Sequence, residues 1–443
     1  MMRFAFMMSS SVVVAAAALA GCERAEVVEV SRPLARGEVV EVVVSDPAVE
    51  TQPSLRDGGG EGPPSYFAYL PASAEGPLPV LYLLSDVGQD QSAFPYFLGL
   101  GALLDELIES EEIDPILVIM PNGLNEMGGG FYTDSVLFPG GDPFADAAFG
   151  PWGLELLRVI EDAEHRFSTD TEPFDVDAVL AGQGSARGRA IGGLGMGAYG
   201  AFVTALRAPV FEALLLHSGF FDLRSGVMAD DPVLGESWGD RLLRESNDVL
   251  GSDHLVPESA GLREVGEAPM TRLIFAMAAA FSPAAGPLDS FDMASLIDTS
   301  LVHADPDGDP LNNFQYPIRQ VGGAETPEDP EDDLWLGVWL PVQADGGIVD
   351  GVLLRWSLYY DPSFLASNGG LMGALENAGT GLWIDAGTRD EYGLADDAEH
   401  FAEVAGAHLS SIVYEQHSGA HDDRVNERLG LSLRWVSERI GSD

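Results

Sequence analysis

Three places in the chain of 443 residues combine side-chain types with a spacing that could do chemistry. Gly193-Leu194-Gly195-Met196-Gly197 lies between a short apolar run and the first turn of a helix-like segment. That is the setting of a Gly-x-Ser-x-Gly turn, which lifts a serine hydroxyl clear of the backbone so that it can attack a carbonyl carbon. The outer glycines stand where strand and helix approach closely. The centre, however, is Gly195, and it carries no hydroxyl. Further on, Asp390 follows a strand-like run and His421 follows the next one, in the order acid then base that such a nucleophile requires. Ser185 and Ser218 are the hydroxyls nearest the turn in sequence. One precedes the turn's strand and the other ends the strand after it, so neither stands at the tip.

The elements that must carry these residues are legible from periodicity. Residues 37 to 45, 65 to 70, 77 to 84 and 115 to 120 read as strands, the third a continuous apolar run of the kind covered on both faces. Helical spacing runs over 93 to 113, 153 to 167 and 197 to 206, and a further strand spans 211 to 218. After residue 366 the alternation resumes with strand 381 to 386, helix 394 to 409, strand 410 to 415 and helix 425 to 440. Strands alternating with helices imply a doubly wound, mostly parallel sheet. Between 219 and 366 the pattern weakens to helix-like 240 to 250 and 270 to 281, an acidic Pro-rich stretch at 325 to 333 and an aromatic strand-like run at 334 to 342. So long a connection is expected to be an inserted subdomain or lid over the carboxyl ends of the strands.

With these pieces in place the chain resembles the esterase family of α/β-hydrolases that includes the esterase D, feruloyl esterase and mycolyltransferase-like enzymes. The resemblance rests on Tyr82-Leu83-Leu84, Gly130-Phe131-Tyr132-Thr133-Asp134-Ser135, the turn at Gly193 to Gly197, Asp385-Ala386-Gly387-Thr388-Arg389-Asp390-Glu391-Tyr392 and Gly419-Ala420-His421. It covers roughly 36 to 222 and 355 to 440 and leaves the insertion unmatched. It implies an α/β-hydrolase fold, Asp390 as the acid that orients the imidazole, His421 as general base, Gly195 at the nucleophile's position, and the N–H groups of Met196 and Val87 as the oxyanion hole. Members of the family usually have His-Gly ahead of the second oxyanion donor, and here the same turn is Ser85-Asp86-Val87-Gly88. A carboxylate at Asp86 would oppose the charge such a hole exists to stabilise. Loss of the serine alone costs such a site on the order of a million-fold in turnover.

The remaining signals concern address and partners. An early arginine, an apolar run from Phe4 to Ala20 and Leu19-Ala20-Gly21-Cys22 resemble a bacterial lipoprotein signal, with residues 1–21 removed, Cys22 lipidated and 22–35 a tether to a domain at 36–440. Cys22 is the only cysteine, so no disulfide framework exists. The expected location is the cell envelope, at the outer membrane or surface. With 71 acidic residues against 22 basic ones, all arginine, and a formal net charge of -49, nucleic acid is an unsuitable partner. The acids are spread along the chain, as on a surface solvated in salt. Asp305-Pro306-Asp307-Gly308-Asp309 has the oxygen spacing of a calcium loop, but Tyr316 falls at the twelfth position where a glutamate is needed, so a turn is expected and neither metal nor cofactor is implied. His417 reads as a surface residue at a strand end, and Trp152 with Phe131-Tyr132 as pocket wall or core.

Two functions are compatible with these residues. One is an esterase-like scaffold that has lost serine chemistry and serves in ligand binding or surface assembly, with the helix start at Met196 and Gly197 open to a small ester, carboxylate or other anion. The other is a carboxylic-ester hydrolase in which Asp390 and His421 activate a water lodged in the space of the absent side chain, or in which a nucleophile is displaced to another element.

Overall fold

The structure, a computed structural model, describes residues 36–44, 65–72, 76–124, 128–134, 152–228, 235–248, 269–285, 318–319, 335–338, 340–342 and 348–441. The expected signal segment 1–21, Cys22, the tether up to residue 35, the acidic stretch 325–333 and the Asp305 to Asp309 turn lie outside them.

In chain order the elements are β1 (Glu38–Val43), β2 (Ser65–Leu70), β3 (Val80–Leu84), α1 (Leu100–Glu109), β4 (Leu117–Pro121), α2 (Trp152–Arg166), α3 (Val176–Leu180), β5 (Arg189–Leu194), α4 (Met196–Arg207), β6 (Ala213–His217), α5 (Leu223–Met228), α6 (Trp238–Asp248), α7 (Pro269–Phe281), β7 (Pro283–Ala285), β8 (Ile318–Arg319), β9 (Trp335–Val338), α8 (Asp350–Tyr359), α9 (Pro362–Ala366), α10 (Gly369–Ala378), β10 (Gly381–Gly387), α11 (Leu394–Gly406), β11 (Ile412–His417) and α12 (Val425–Ile440). Eight strands form one sheet in the order β1-β2-β4-β3-β5-β6-β10-β11. The β1–β2 and β2–β4 pairs are antiparallel and all the others parallel. A separate small sheet pairs β7 and β8 with β9. This is the α/β-hydrolase fold, with an insertion before the strand that leads to Asp390.

The central strands are apolar on both faces because both faces are covered. In β3, Val80, Tyr82 and Leu84 enter one core cluster while Leu81 and Leu83 enter the other. The helical spacing over 93 to 113 does not yield one helix. A π-helical turn at Ala93–Phe97 containing Pro95 is cut from α1 by Gly99, whose φ of 67° is left-handed. No helix among the described residues is long and apolar enough to cross a membrane.

The insertion is not a loose cover. In α7 every residue from Met270 to Phe281 except Arg272 is buried, which is what a helix apolar all round requires. Phe281 packs against Phe131 and Tyr199 of the hydrolase core, at centroid separations of 5.2 and 5.3 Å, and against Trp356 and Tyr360. Helix α7 thus belongs to the main core cluster and fills space next to the site. Phe281→Ala should therefore lower unfolding free energy by about 3–5 kcal/mol in urea titrations, the cost of emptying a core aromatic position. A loss below about 0.5 kcal/mol, typical of a surface position, would mean that α7 is a detachable flap.

Candidate active site

The turn between β5 and α4 keeps the backbone of a nucleophile elbow. Gly195 sits at φ 56° and ψ -111°, a conformation open to glycine but strained for a residue with a side chain, and its N–H donates to the carbonyl of His217 at 2.9 Å. Close packing explains the outer glycines: a Cβ on Gly197 would lie 2.0 Å from the Leu84 carbonyl oxygen, and one on Gly193 2.4 Å from the same atom.

The loops after β3, β10 and β11 bring Asp86, Asp390 and His421 to this turn. His421 Nδ1 lies 2.9 Å from Asp390 Oδ2. The other oxygen of Asp390 accepts the Tyr392 N–H at 2.8 Å, and the His421 N–H donates to Glu391 Oε2 at 3.0 Å. On its far side His421 Nε2 lies 3.0 Å from Asp86 Oδ2. The second oxygen, Oδ1, accepts the N–H of Val87 at 2.7 Å and that of Met196 at 2.8 Å. The Asp86 carboxylate therefore spans both donors expected to form the oxyanion hole and the ring nitrogen that would face a nucleophile. A Cβ built on Gly195 would meet Asp86 Oδ1 at 2.0 Å, its carboxyl carbon at 2.4 Å and Oδ2 at 2.7 Å. The two departures from the family pattern are thus sterically coupled: the side chain absent at 195 is the space that the side chain at 86 fills.

This corrects two expectations. The helix start at Met196 is not open to an outside anion, because the protein's own carboxylate takes its N–H. Nor is the space where a side chain at 195 would stand free for a water, because the Asp86 carboxylate occupies it. Among the described residues no hydroxyl contacts the imidazole: Ser218 Oγ donates to the carbonyl oxygen of His421 at 3.2 Å, and Ser185 Oγ accepts the Arg187 N–H.

The electrostatics follow from the two carboxylates. His421 is 3% exposed, with Phe220 stacked at 6.1 Å and Tyr392 edge-on at 5.0 Å. Burial favours the neutral ring, but the charges and hydrogen bonds of Asp390 and Asp86 together outweigh it and raise the His421 pKa to about 10. A carboxylate oxygen at each ring nitrogen favours the imidazolium, the form in which both nitrogens can donate.

Beneath the site lies a buried polar hub that sequence reasoning missed. Arg428 donates from Nε to Asp385 Oδ1 at 3.0 Å, from Nη1 to the His421 carbonyl at 2.9 Å and from Nη2 to Ser218 Oγ at 2.8 Å. His217 Nδ1 is 2.6 Å from Asp385 Oδ2, and its Nε2 is 3.1 Å from Ser432 Oγ. Burial would raise the Asp385 pKa, but His217 and Arg428 reverse this and hold the carboxyl well below its ordinary value. Ser432, His217 and Asp385 have the connectivity of a catalytic triad, yet Ser432 is fully buried and its hydroxyl reaches the Leu429 carbonyl, so the group is a clamp. It ties the elbow, β10 and the His421 loop together, and holds Ser218 at a φ of 46°. No pattern in the sequence joins these residues, which come from β6, β10 and α12.

Other expected residues fall as follows. Phe131, Tyr132 and Trp152 are buried, and the Tyr132 hydroxyl accepts the Ser85 N–H at 3.1 Å, bracing the loop that carries Asp86. His417 ends β11, and neither ring nitrogen has a hydrogen-bond partner. From the insertion, Trp238 Nε1 donates to the Tyr392 carbonyl at 2.8 Å and Arg241 to that of Glu391, so α6 pins the Asp390 loop. No group of three or more metal-ligating side chains occurs among the described residues.

No protein-family model matches the chain, and no curated protein is significantly similar to it in sequence. Solved structures are similar in chain path. A ferulic acid esterase aligns at a TM-score of 0.46 and 12% identity over 91% of this chain and 98% of that one. An S-formylglutathione hydrolase from Agrobacterium tumefaciens aligns at 0.45 and 13% over 91% and 96%. The fluorophosphonate-binding serine hydrolase F of Staphylococcus aureus, substrate bound, aligns at 0.42 and 12% over 91% and 99%.

Because the folded pKa of His421 lies above the ordinary value of about 6.5, its stabilisation is fully present below that value and is lost as pH rises through about 10. Side-chain nitrogen NMR at pH 8 should find both His421 nitrogens protonated, and the unfolding free energy should fall between pH 7 and 10.5. A neutral ring at pH 8 would contradict the two-carboxylate arrangement.

Proposed function

We propose that this α/β-hydrolase-fold chain is an exported, lipid-anchored esterase-like protein whose serine-hydrolase chemistry is silent and which acts through its surface. One observation carries the reading: the Asp86 carboxylate stands in the oxyanion hole and against His421 Nε2. Acyl transfer needs a hydroxyl at that nitrogen, a neutral ring to take its proton and an empty pair of N–H donors to receive the developing oxyanion. Each of the three requirements is opposed by the same side chain.

The rival reading, hydrolysis by a water that His421 activates, needs the ring as a base. An imidazolium with a pKa near 10 has no lone pair to offer at neutral pH. Binding of a small ester or carboxylate at the old site is disfavoured for a different reason, since the cradle is filled and α7 packs beside it. What remains for function is the acidic exterior and the anchor read from Leu19-Ala20-Gly21-Cys22.

Gly195→Ser alone should show no activity on short-chain aryl esters, because the new side chain collides with Asp86. Combining Gly195→Ser with Asp86→Gly, which removes the blocking carboxylate, should raise turnover at least about a hundredfold over background, and His421→Ala added to that pair should abolish the gain. A fluorophosphonate should add covalently to the double variant and leave the natural protein unlabelled. Ester hydrolysis by the natural protein that disappears in His421→Ala would overturn the proposal. The anchor is tested separately: the N-terminal peptide of the membrane-extracted protein should begin at a Cys22 carrying acyl mass, and Cys22→Ser should release the protein. An unmodified Cys22 would remove the anchor while leaving the silent site standing.

A further inference from the structure

We infer that the cradle under Asp86 is a carboxylate-binding site whose resident ligand is the protein's own side chain, recognised by the N–H groups of Val87 and Met196 and by the His421 ring. This rests on the silent-site reading and goes beyond it by naming the ligand class. The three donors come from three separate segments, the β3 turn, the start of α4 and the loop after β11, and they divide two against one between the carboxylate oxygens, at 2.7, 2.8 and 3.0 Å. A planar anion with two oxygens about the width of a carboxylate apart satisfies all three. A halide has one centre and cannot reach both sides. Space is matched as well: the carboxyl carbon and both oxygens lie 2.0–2.7 Å from where a Cβ on Gly195 would be, so the ligand's plane lies directly against that glycine. Any larger residue at 195 would close the cradle.

The occupant is tethered, which governs what the natural protein can bind. A group held one methylene from the backbone next to its receptor competes as an intramolecular partner at high effective concentration, so free carboxylates at millimolar levels are kept out. The natural protein should therefore ignore acetate. The side chain is 11% exposed, so the cradle is not sealed from solvent once the tether is cut.

Two truncations cut it at different lengths. Asp86→Gly removes a methylene and a carboxylate, leaving a space the shape of acetate. Asp86→Ala keeps the carbon, leaving a space the shape of formate. Each variant and the natural protein would be titrated with acetate, formate, propionate and chloride at constant ionic strength, reading the His421 side-chain nitrogen resonances and the unfolding midpoint. The inference predicts saturable responses with inverted selectivity: acetate favoured over formate in Asp86→Gly, and formate over acetate in Asp86→Ala, each by about tenfold as one misfitted methyl group allows. Propionate and chloride should act weakly in both, and the natural protein should not respond. Should either variant fail to fold in plain buffer, recovery of its circular dichroism on adding the matching carboxylate is the same result in another form. Equal effects of acetate, formate and chloride in both variants would overturn the inference, as would variants that no carboxylate refolds. Regained esterase activity in the Gly195→Ser, Asp86→Gly double variant without this selectivity sinks the carboxylate site alone. Selectivity without regained activity leaves the carboxylate site standing and rejects the account of why the enzyme is silent.

Discussion

The arrangement depends on one bridging carboxylate. Asp86 closes a chain of charges, Asp390 to His421 to Asp86, that ends on two backbone N–H groups, so every polar atom at the centre of the site has an intramolecular partner. Buried ionisable groups are costly unless paired and hydrogen-bonded. Without Asp86, the buried His421 ring would face Gly195 with no partner at Nε2. Here the Asp86 carboxylate faces that imidazole, so the ring lies between two carboxylates in a buried chain of paired charges.

The fold supports this from below and from the side. Below, Arg428 and Asp385 hold the His421 carbonyl and the end of β6 in a network in which Arg428, Asp385 and His217 all have partners. At the side, the insertion supplies α6, which pins the Asp390 loop, and α7, which carries Phe281 into the aromatic cluster of Phe131 and Tyr199. In this chain they add core, which fits a protein with no disulfide and a surface charge that repels itself.

Much of the frame was legible in the sequence, for identifiable reasons. The strands of the central sheet stood out because burial on both faces makes them continuously apolar, and α12 because its periodicity is sustained over sixteen residues. Asp390, His421 and Gly195 could be placed because each sits in a loop directly after a recognisable strand. Helix α9 is hard to read from sequence although Asp361-Pro362 is a cap followed by a proline at the first turn, since five residues carry too little periodicity to register. The hub was invisible because His217, Asp385 and Arg428 meet only through long-range packing. The charge of Asp86 is visible in the sequence, but its place inside the hole and against His421 is not. A carboxylate near an oxyanion hole reads as repulsion, whereas a carboxylate inside one, facing an imidazole, is the best ligand the hole has. Only the separation between Gly195 and Asp86 distinguishes the two.

The most direct test of that claim is neutron diffraction from a deuterium-exchanged crystal of the natural protein grown near pH 8. Deuterons are expected on both ring nitrogens of His421, with the Asp86 carboxylate accepting from one of them and from the backbone N–D groups of Val87 and Met196. A singly deuterated ring, or an Asp86 side chain turned out of the hole with solvent in its place, would contradict it.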